Sequence, residues 1–241
     1  MTPDVDFRFV VVTDGHWGSN RVDYGKWAEY DDWEDLHNAA LNRIDKIHAE
    51  REIEVVVHCG DIVHDDHDLH QEVVDNFFNE LPTDKWYPVY GNHDWSTEDE
   101  WEDVYGHGWQ HTFKHGDYGF VIAETGSPAE STSRSAADAD WIEAQLDEFE
   151  SGGKDGVFAF QHVGPYEFDG LGIDMPDVRE QYERDIVKGV FCGHNHGLNT
   201  THRHVEGQPY IRCSRMGGID NPGEKRIKEV GVRVVEVFEQ S

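Results

Sequence analysis

Basic residues are scarce in this chain. Lys and Arg together number 20, only 8 of them Lys, against 50 Asp and Glu, for a formal net charge of −30. That balance argues against a surface built to bind nucleic acid at low salt. Cysteine is almost as rare: Cys59, Cys192 and Cys213 are the only three. An odd, sparse set offers no disulfide framework, suits a reducing compartment and reads as small buried packing residues. No apolar run approaches the ~20 residues that a membrane span needs, and Met1 to Asp6 carries two acids and no basic leader. A soluble, cytoplasmic protein with no membrane partner is expected. Internal repeats, low-complexity tracts and linkers are also lacking, so residues 1–241 read as a single domain.

The acid is spread along the whole chain and not confined to one tail. Such a chain repels itself in dilute buffer, and molar salt relieves the repulsion by shortening the screening length to roughly 3 Å. This composition points to a halophilic protein from a salty cytoplasm. Disorder is excluded by 8 Trp, 12 Phe and well-patterned apolar segments.

Several segments read as buried strands that end at glycine or at a polar residue: Phe7 to Thr13, Ile53 to Cys59, Trp86 to Tyr90, Gly156 to Gln161 and Ile186 to Cys192. Trp33, Leu36, His37, Ala40, Leu41, Ile44 and Ile47 recur at helical spacing and predict an amphipathic helix. Val73, Val74, Phe77 and Phe78 suggest a second helix, and Ala136 to Phe149 a third. Hairpins are expected around Gly116-Asp117 and Glu206-Gly207, and a closing strand over Val230 to Phe238. An early strand–helix–strand–helix part thus meets a later, more antiparallel part, in an α/β arrangement of two packed sheets with helices outside. Long loops fall at Gly15 to Asp31, Ser127 to Ser135 and Gly164 to Asp177.

Five strand ends deliver ligand-type residues: Asp14 and His16; Asp61; Asn92, His93 and Asp94; His162; His194 and His196. Ligands gather at the carboxyl ends of strands in open α/β sheets, so these clusters can converge. Gly60, Gly91 and Gly193 suit sharp exits from those strands. Carboxylate, imidazole and amide oxygen form a mixed N/O set without thiolate. Such a set fits Mn, Fe, Zn or Ni better than Ca.

The ordered string Asp14-Gly15-His16, Gly60-Asp61, Gly91-Asn92-His93-Asp94, His162 and Gly193-His194-Asn195-His196 resembles the calcineurin-like metallophosphoesterase superfamily. The resemblance runs from residue 14 to residue 196. It implies a β-sandwich of two mixed sheets flanked by helices, and two divalent metal ions, Mn foremost. One ion would take Asp14, His16 and His196, and the other Asn92, His162 and His194, with Asp61 bridging. It further implies a hydrolase that cleaves a phosphoester, a phosphodiester favoured, by attack of a hydroxide bridging the ions. His93 would protonate the leaving alkoxide. His64 and Asp94 would stand behind the ligands and orient them.

The second motif departs from the GDxVDRG of phosphoprotein phosphatases, since Gly60-Asp61-Ile62-Val63 is followed by His64-Asp65-Asp66. His64 instead resembles the GDxFH of Mre11/SbcD-type nucleases, while the compact size and GHNH ending resemble cyclic-nucleotide phosphodiesterase-like members. A DNA nuclease and a non-catalytic metal-binding scaffold of the same fold are therefore the competing readings. The expected substrate is a phosphoester: a small molecule, a nucleotide or a nucleic acid. No protein partner is assigned. Tyr166 and Phe168 are expected near the substrate, and Arg134, Arg212 and Arg215 as phosphate clamps or partners of carboxylates. His202 and His204 are either directed at the site or simply alternate along a strand. Trp95, Trp101 and Trp109 are candidates for a pocket wall or for the core, and the acidic runs Asp65 to Asp68 and Glu98 to Asp103 for solvated faces.

Overall fold

A computed structural model describes residues 4–18, 33–126, 134–166, 173–196, 201–205, 208–213, 216 and 231–239. Its first strand, β1 (Val5–Val12), shows how the layers arise. Successive side chains of a strand point to opposite faces. Phe7, Phe9 and Val11 enter a core between two sheets, while Val10 and Val12 enter a core beneath helices. Strand β2 (Val55–His58) repeats the pattern and is buried on both faces. Such double burial is what helices packed on a parallel pair require.

Sheet order in this first layer is β10-β1-β2-β3, with β3 at Trp86–Pro88 and β10 at Arg233–Phe238. β1, β2 and β3 run parallel and β10 lies antiparallel to β1. Helices α1 (Trp33–Glu50) and α2 (Leu69–Asn76) follow β1 and β2, and a 3-10 turn at Phe78–Glu80 extends α2. Ala40, Leu41, Ile44, Val73, Val74, Phe77 and Phe78 share the core on that outer face.

The second sheet is formed by β4 (His111–His115), β5 (Tyr118–Ala123), β6 (Gly156–Gln161), β7 (Val187–Cys192), β8 (Thr201–Val205) and β9 (Gln208–Arg212). Its order is β4-β5-β6-β7-β9-β8. Both expected hairpins are present, β4/β5 and β8/β9, but they form the two ends of the sheet. Its centre, β5-β6-β7-β9, is parallel. The later half is thus less antiparallel than the hairpins alone suggested. Helix α4 (Ala139–Ser151) packs on its outer face. Phe120, Phe158, Phe160 and Phe191 meet Phe9 between the sheets, with Phe9 and Phe158 centroids 5.0 Å apart.

Two helices were not anticipated. Helix α3 (Glu98–Tyr105) occupies the acidic run after the Gly91-Asn92-His93-Asp94 segment, and α5 (Pro176–Tyr182) begins at the end of the expected Gly164 to Asp177 loop. The acids of α3 are solvated as expected, but its Trp101 is fully buried. Trp109 packs against the same core, and Trp95 is half-buried. Among the described residues no helix is long and apolar enough to cross a membrane. Most of the Gly15 to Asp31 and Ser127 to Ser135 loops lies outside the described residues.

Candidate metal centre

The parallel strands β1, β2 and β3 release their chains at one end of the first sheet, and β6 and β7 do so at the adjoining end of the second. The loops after β1 and β2 continue side by side: Asp14 N donates to Gly60 O, His16 N to Asp61 O, and Trp17 N to Ile62 O, at 2.8–3.0 Å. Asp94 ties the loop after β3 to them. Its Oδ1 accepts from the amides of Ile62 and Val63, and its Oδ2 from Gly91 N. Burial and the Asp61 carboxylate push Asp94 up to about 7, against the pull of the Val63 and Gly91 amides.

The glycines have different reasons for being glycine. Gly60 has φ +86°, a left-handed conformation. Gly91 and Gly193 are required for space. A Cβ on Gly91 would lie 2.2 Å from Asp61 N, and one on Gly193 2.0 Å from Thr13 Oγ1. Six non-glycine residues among those described have positive φ: Asp14, His16, Asp61, Asp65, His194 and His196. All six lie in this region. Such conformations cost roughly 1–3 kcal/mol each and persist where the surroundings over-determine them.

Two groups of side chains result. Asp14, His16, Asp61 and His196 can present one ligand atom each within 4.8 Å of one another, and so can Asp61, His162 and His194. Asp61 belongs to both. Its Oδ2 faces His162 Nε2 at 3.1 Å and His16 Nε2 at 3.6 Å, while its Oδ1 accepts from His93 N at 2.9 Å. Asp14 Oδ1 is 3.2 Å from His196 Nε2, and His16 Nε2 is 2.9 Å from His196 Nε2. His194 Nδ1 is 3.3 Å from His162 Nε2. His162 Nδ1 donates to the Cys59 carbonyl at 2.8 Å, leaving Nε2 to face Asp61. Metal-binding histidines are oriented in this way.

A cation fits this donor set. Asp14 and Asp61 are buried carboxylates, and buried anions need compensation. Burial opposes charge on His162, yet Asp61 beside it pushes the imidazole up to about 9. Burial alone would raise Asp61, but the charges of His162 and His93 hold it well below the carboxylate range. A divalent ion would supply the same positive charge and displace the proton. Asn92 Oδ1, also buried, accepts no hydrogen bond from any described residue, as an oxygen held for a cation would.

Of the residues singled out in the sequence, Asp14, His16, Asp61, His162, His194 and His196 thus fall in the two groups, and Asn92 is buried in the loop after β3. His93 stands on the exposed side, with Nδ1 2.6 Å from Asp65 Oδ1. Burial works against its charge, but the Asp61 and Asp65 carboxylates raise it above the ordinary imidazole value. His64 lies against both: its Nδ1 is 3.0 Å from His16 Nδ1, and its ring stacks on His93 at 4.9 Å. Burial first, then the neighbouring His93, pushes His64 down to about 4. Arg134 reaches the site from the rim, with Nη1 3.2 Å from His194 Nε2.

Asp65 is not the solvated acid expected. Its side chain is 4% exposed and partners His93. The available signal was its place directly after His64, one residue later than the acid of GDxVDRG. Thr13 was also overlooked; its Oγ1 lies 2.7 Å from Asp14 Oδ2 and 2.9 Å from Cys59 O. Tyr166 is drawn into packing, with its ring 4.8 Å from Tyr210 and Arg179 4.6 Å above it. Cys59, Cys192 and Cys213 are buried, and none forms a disulfide with another described residue. Phe168 and Arg215, and the side chains of His202, His204 and Arg212, lie outside the described residues.

A family model described as calcineurin-like phosphoesterase matches residues 7–198. No curated protein sequence matches the chain. Among solved structures, a dimetal phosphatase from Danio rerio superposes with a TM-score of 0.71 at 14% identity, covering 98% of this chain and 94% of that one. A Plasmodium protein described as the anchor in the inner membrane complex gives 0.55 at 14% identity, covering 97% and 81%. The calcineurin-like phosphoesterase YfkN from Bacillus subtilis gives 0.54 at 14% identity, covering 98% and 91%. At these identities the likeness is one of fold.

Proposed function

The chain belongs to the calcineurin-like phosphoesterase family, and from that premise we propose that it is a hydrolase cleaving a phosphodiester at a pair of divalent metal ions. The observation that carries the reading is the sharing of Asp61 between two ligand groups. Asp14, His16 and His196 would hold one ion with Asp61, and Asn92, His162 and His194 the other. Their mixed carboxylate, imidazole and amide donors favour Mn. When bound, such a pair supplies a water of lowered pKa and neutralises phosphoryl charge.

The chain's own residues do the remainder. His93 holds a proton at Nε2 for the leaving oxygen, because Asp65 accepts from Nδ1 and steadies the imidazolium. Arg134, on the open side next to His194, would take a non-reacting phosphoryl oxygen. Asp94 locks three backbone amides and so fixes the spacing of Asp61 to Asn92. Absence of the GDxVDRG arginine argues against a phosphoprotein substrate, and the Gly193-His194-Asn195-His196 ending, which resembles cyclic-nucleotide phosphodiesterase-like members, supports a diester. We further read the whole chain as one catalytic domain of a halophilic cytoplasm, on the strength of its dispersed −30 charge. A nuclease is the second reading, motivated by His64 after Gly60-Asp61-Ile62-Val63.

The test is hydrolysis of bis-p-nitrophenyl phosphate and p-nitrophenyl phosphate in molar KCl with Mn²⁺, for wild type, Asp61→Ala and His93→Ala. Metal-dependent diester cleavage, abolished by Asp61→Ala, is expected; His93→Ala should lower it only modestly with p-nitrophenyl esters, whose leaving group needs no proton, and far more with alkyl leaving groups. Monoester cleavage alone would refute the diester preference. No turnover despite two bound ions per chain would refute the hydrolase reading with these substrates. Cleavage of DNA but of neither nitrophenyl ester would favour the nuclease.

A further inference from the structure

His16 has both ring nitrogens engaged. Nε2 faces His196 Nε2 and Asp61 Oδ2 inside the four-residue ligand group. Nδ1 faces His64 Nδ1 at 3.0 Å. A neutral imidazole carries one proton, so the nitrogen that offers a lone pair to a cation dictates the other as donor. If Nε2 serves the ligand group, Nδ1–H must find an acceptor, and His64 Nδ1 is within hydrogen-bond reach.

We propose that His64 is a positioning residue for His16: it accepts the hydrogen bond from His16 Nδ1–H and thereby keeps the His16 Nε2 lone pair available to a cation held together with Asp14, Asp61 and His196. The proposal rests on reading that group as a metal centre. His64 is well held for the task. It is 2% exposed, its N donates to Trp17 O at 3.1 Å, and its ring lies within 10° of parallel to His93. Trp17 in turn pairs with Val63, so the backbone on both sides of the His16–His64 contact is fixed.

A rival arrangement exists. His16, His64 and His93 can also present ligand atoms within 4.8 Å of one another, which would suit a third ion. It would require His16 to bind cations through both nitrogens and so to lose both protons, giving a buried imidazolate. Asp65 already occupies His93 Nδ1 and contributes no carboxylate to that group. The hydrogen-bond arrangement is the one compatible with a neutral His16.

Three substitutions separate the cases, because amide side chains mimic different nitrogens of imidazole. His64→Asn puts Oδ1 near the place of Nδ1; His64→Gln puts its amide near the place of Nε2; His64→Leu offers no acceptor. Two readouts are used: the His16 tautomer, from ¹⁵N-edited spectra of the metal-free and Zn²⁺-loaded protein, and Mn²⁺ stoichiometry and affinity. The expected result is Nδ1–H on His16 in wild type and His64→Asn, with Mn²⁺ affinity within about threefold of each other. His64→Gln and His64→Leu should lose that tautomer preference and weaken one of two ions by about 10- to 100-fold. Should His64→Leu not fold, the Asn–Gln contrast remains decisive. Wild-type His16 protonated at Nε2 would overturn the proposal. So would unchanged affinity in His64→Leu and His64→Gln, or a third wild-type ion lost in all three variants. The expected tautomer and affinity pattern without ester hydrolysis would count against the proposed function and leave this inference standing.

Discussion

At the scale of single residues, charge placement separates Asp65 from the other acids around it. Its carboxylate touches His93 and is nearly buried, whereas Asp68 is exposed. Asp65→Asn keeps the shape and removes the charge that steadies an imidazolium at position 93. The expected outcome is a fall in kcat of about 100-fold for diesters with alkyl leaving groups, the range ascribed to general-acid help. The fall should be much smaller for p-nitrophenyl esters, whose leaving group needs no proton. Steady-state rates on a leaving-group series check this; an equal loss across the series would remove His93 from the acid role.

Gly15 is a second residue-scale case. A Cβ there would lie 2.6 Å from Met216 Cε and 2.7 Å from His37 Nε2, both in buried side chains. Overpacking of this kind costs about 1–3 kcal/mol. Gly15→Ala is expected to lower stability by that amount in urea unfolding. It should also weaken Mn²⁺ binding, because the residue sits between Asp14 and His16. Unchanged stability and affinity would mean that Met216 and His37 yield without effect.

At the scale of elements, α3 shows what strict periodicity misses. Its eight residues bury only Trp101 and Tyr105, four apart, and its first turn is wholly acidic. Acids in that turn favour the helix through its dipole. The start is set by Thr97, whose Oγ1 accepts from Glu100 N while Glu100 Oε2 accepts from Thr97 N. This reciprocal cap, with Gly106 left-handed at the other end, was readable as Thr97-x-x-Glu100 and Gly106. Thr97→Ala should cost about 1 kcal/mol in urea unfolding, with Mn²⁺ stoichiometry unchanged. A loss under a few tenths would show that packing of Trp101 alone holds the helix.

At the scale of the whole molecule, cations offset little of the acid. Among the described residues the Lys and Arg ion pairs, such as Arg184 with Asp147 and Glu150, lie at partly exposed positions. Surface pairs of this kind contribute about 0–1 kcal/mol. Repulsion among the remaining acids is therefore relieved mainly by dissolved salt. Raising KCl from about 0.1 M to about 2 M contracts the Debye length from roughly 10 Å to below roughly 3 Å. The thermal midpoint is expected to rise by about 5 °C or more, as a gain of ~2 kcal/mol gives at this size. Scanning calorimetry at the two concentrations checks it, and equal midpoints would refute the salt dependence.

What the sequence determined by itself is local. Short β-branched and aromatic runs specify strands through side-chain shape and alternation, and each candidate ligand cluster follows such a run at once. Hence Asp14, His16, Asp61, Asn92, His93, His162, His194 and His196 could be named as candidates without coordinates. Tertiary structure decided what joins them. His16 and His196 are 180 positions apart, and only the register of β1 beside β2 and of β6 beside β7 brings such loops to one rim. The double use of Asp61, the pairing of Asp65 with His93, the approach of His64 to His16 and the crowding that requires Gly91 and Gly193 all depend on distances between loops. Those distances are set by interstrand hydrogen bonds and by aromatic packing between the sheets, which no local run of residues encodes.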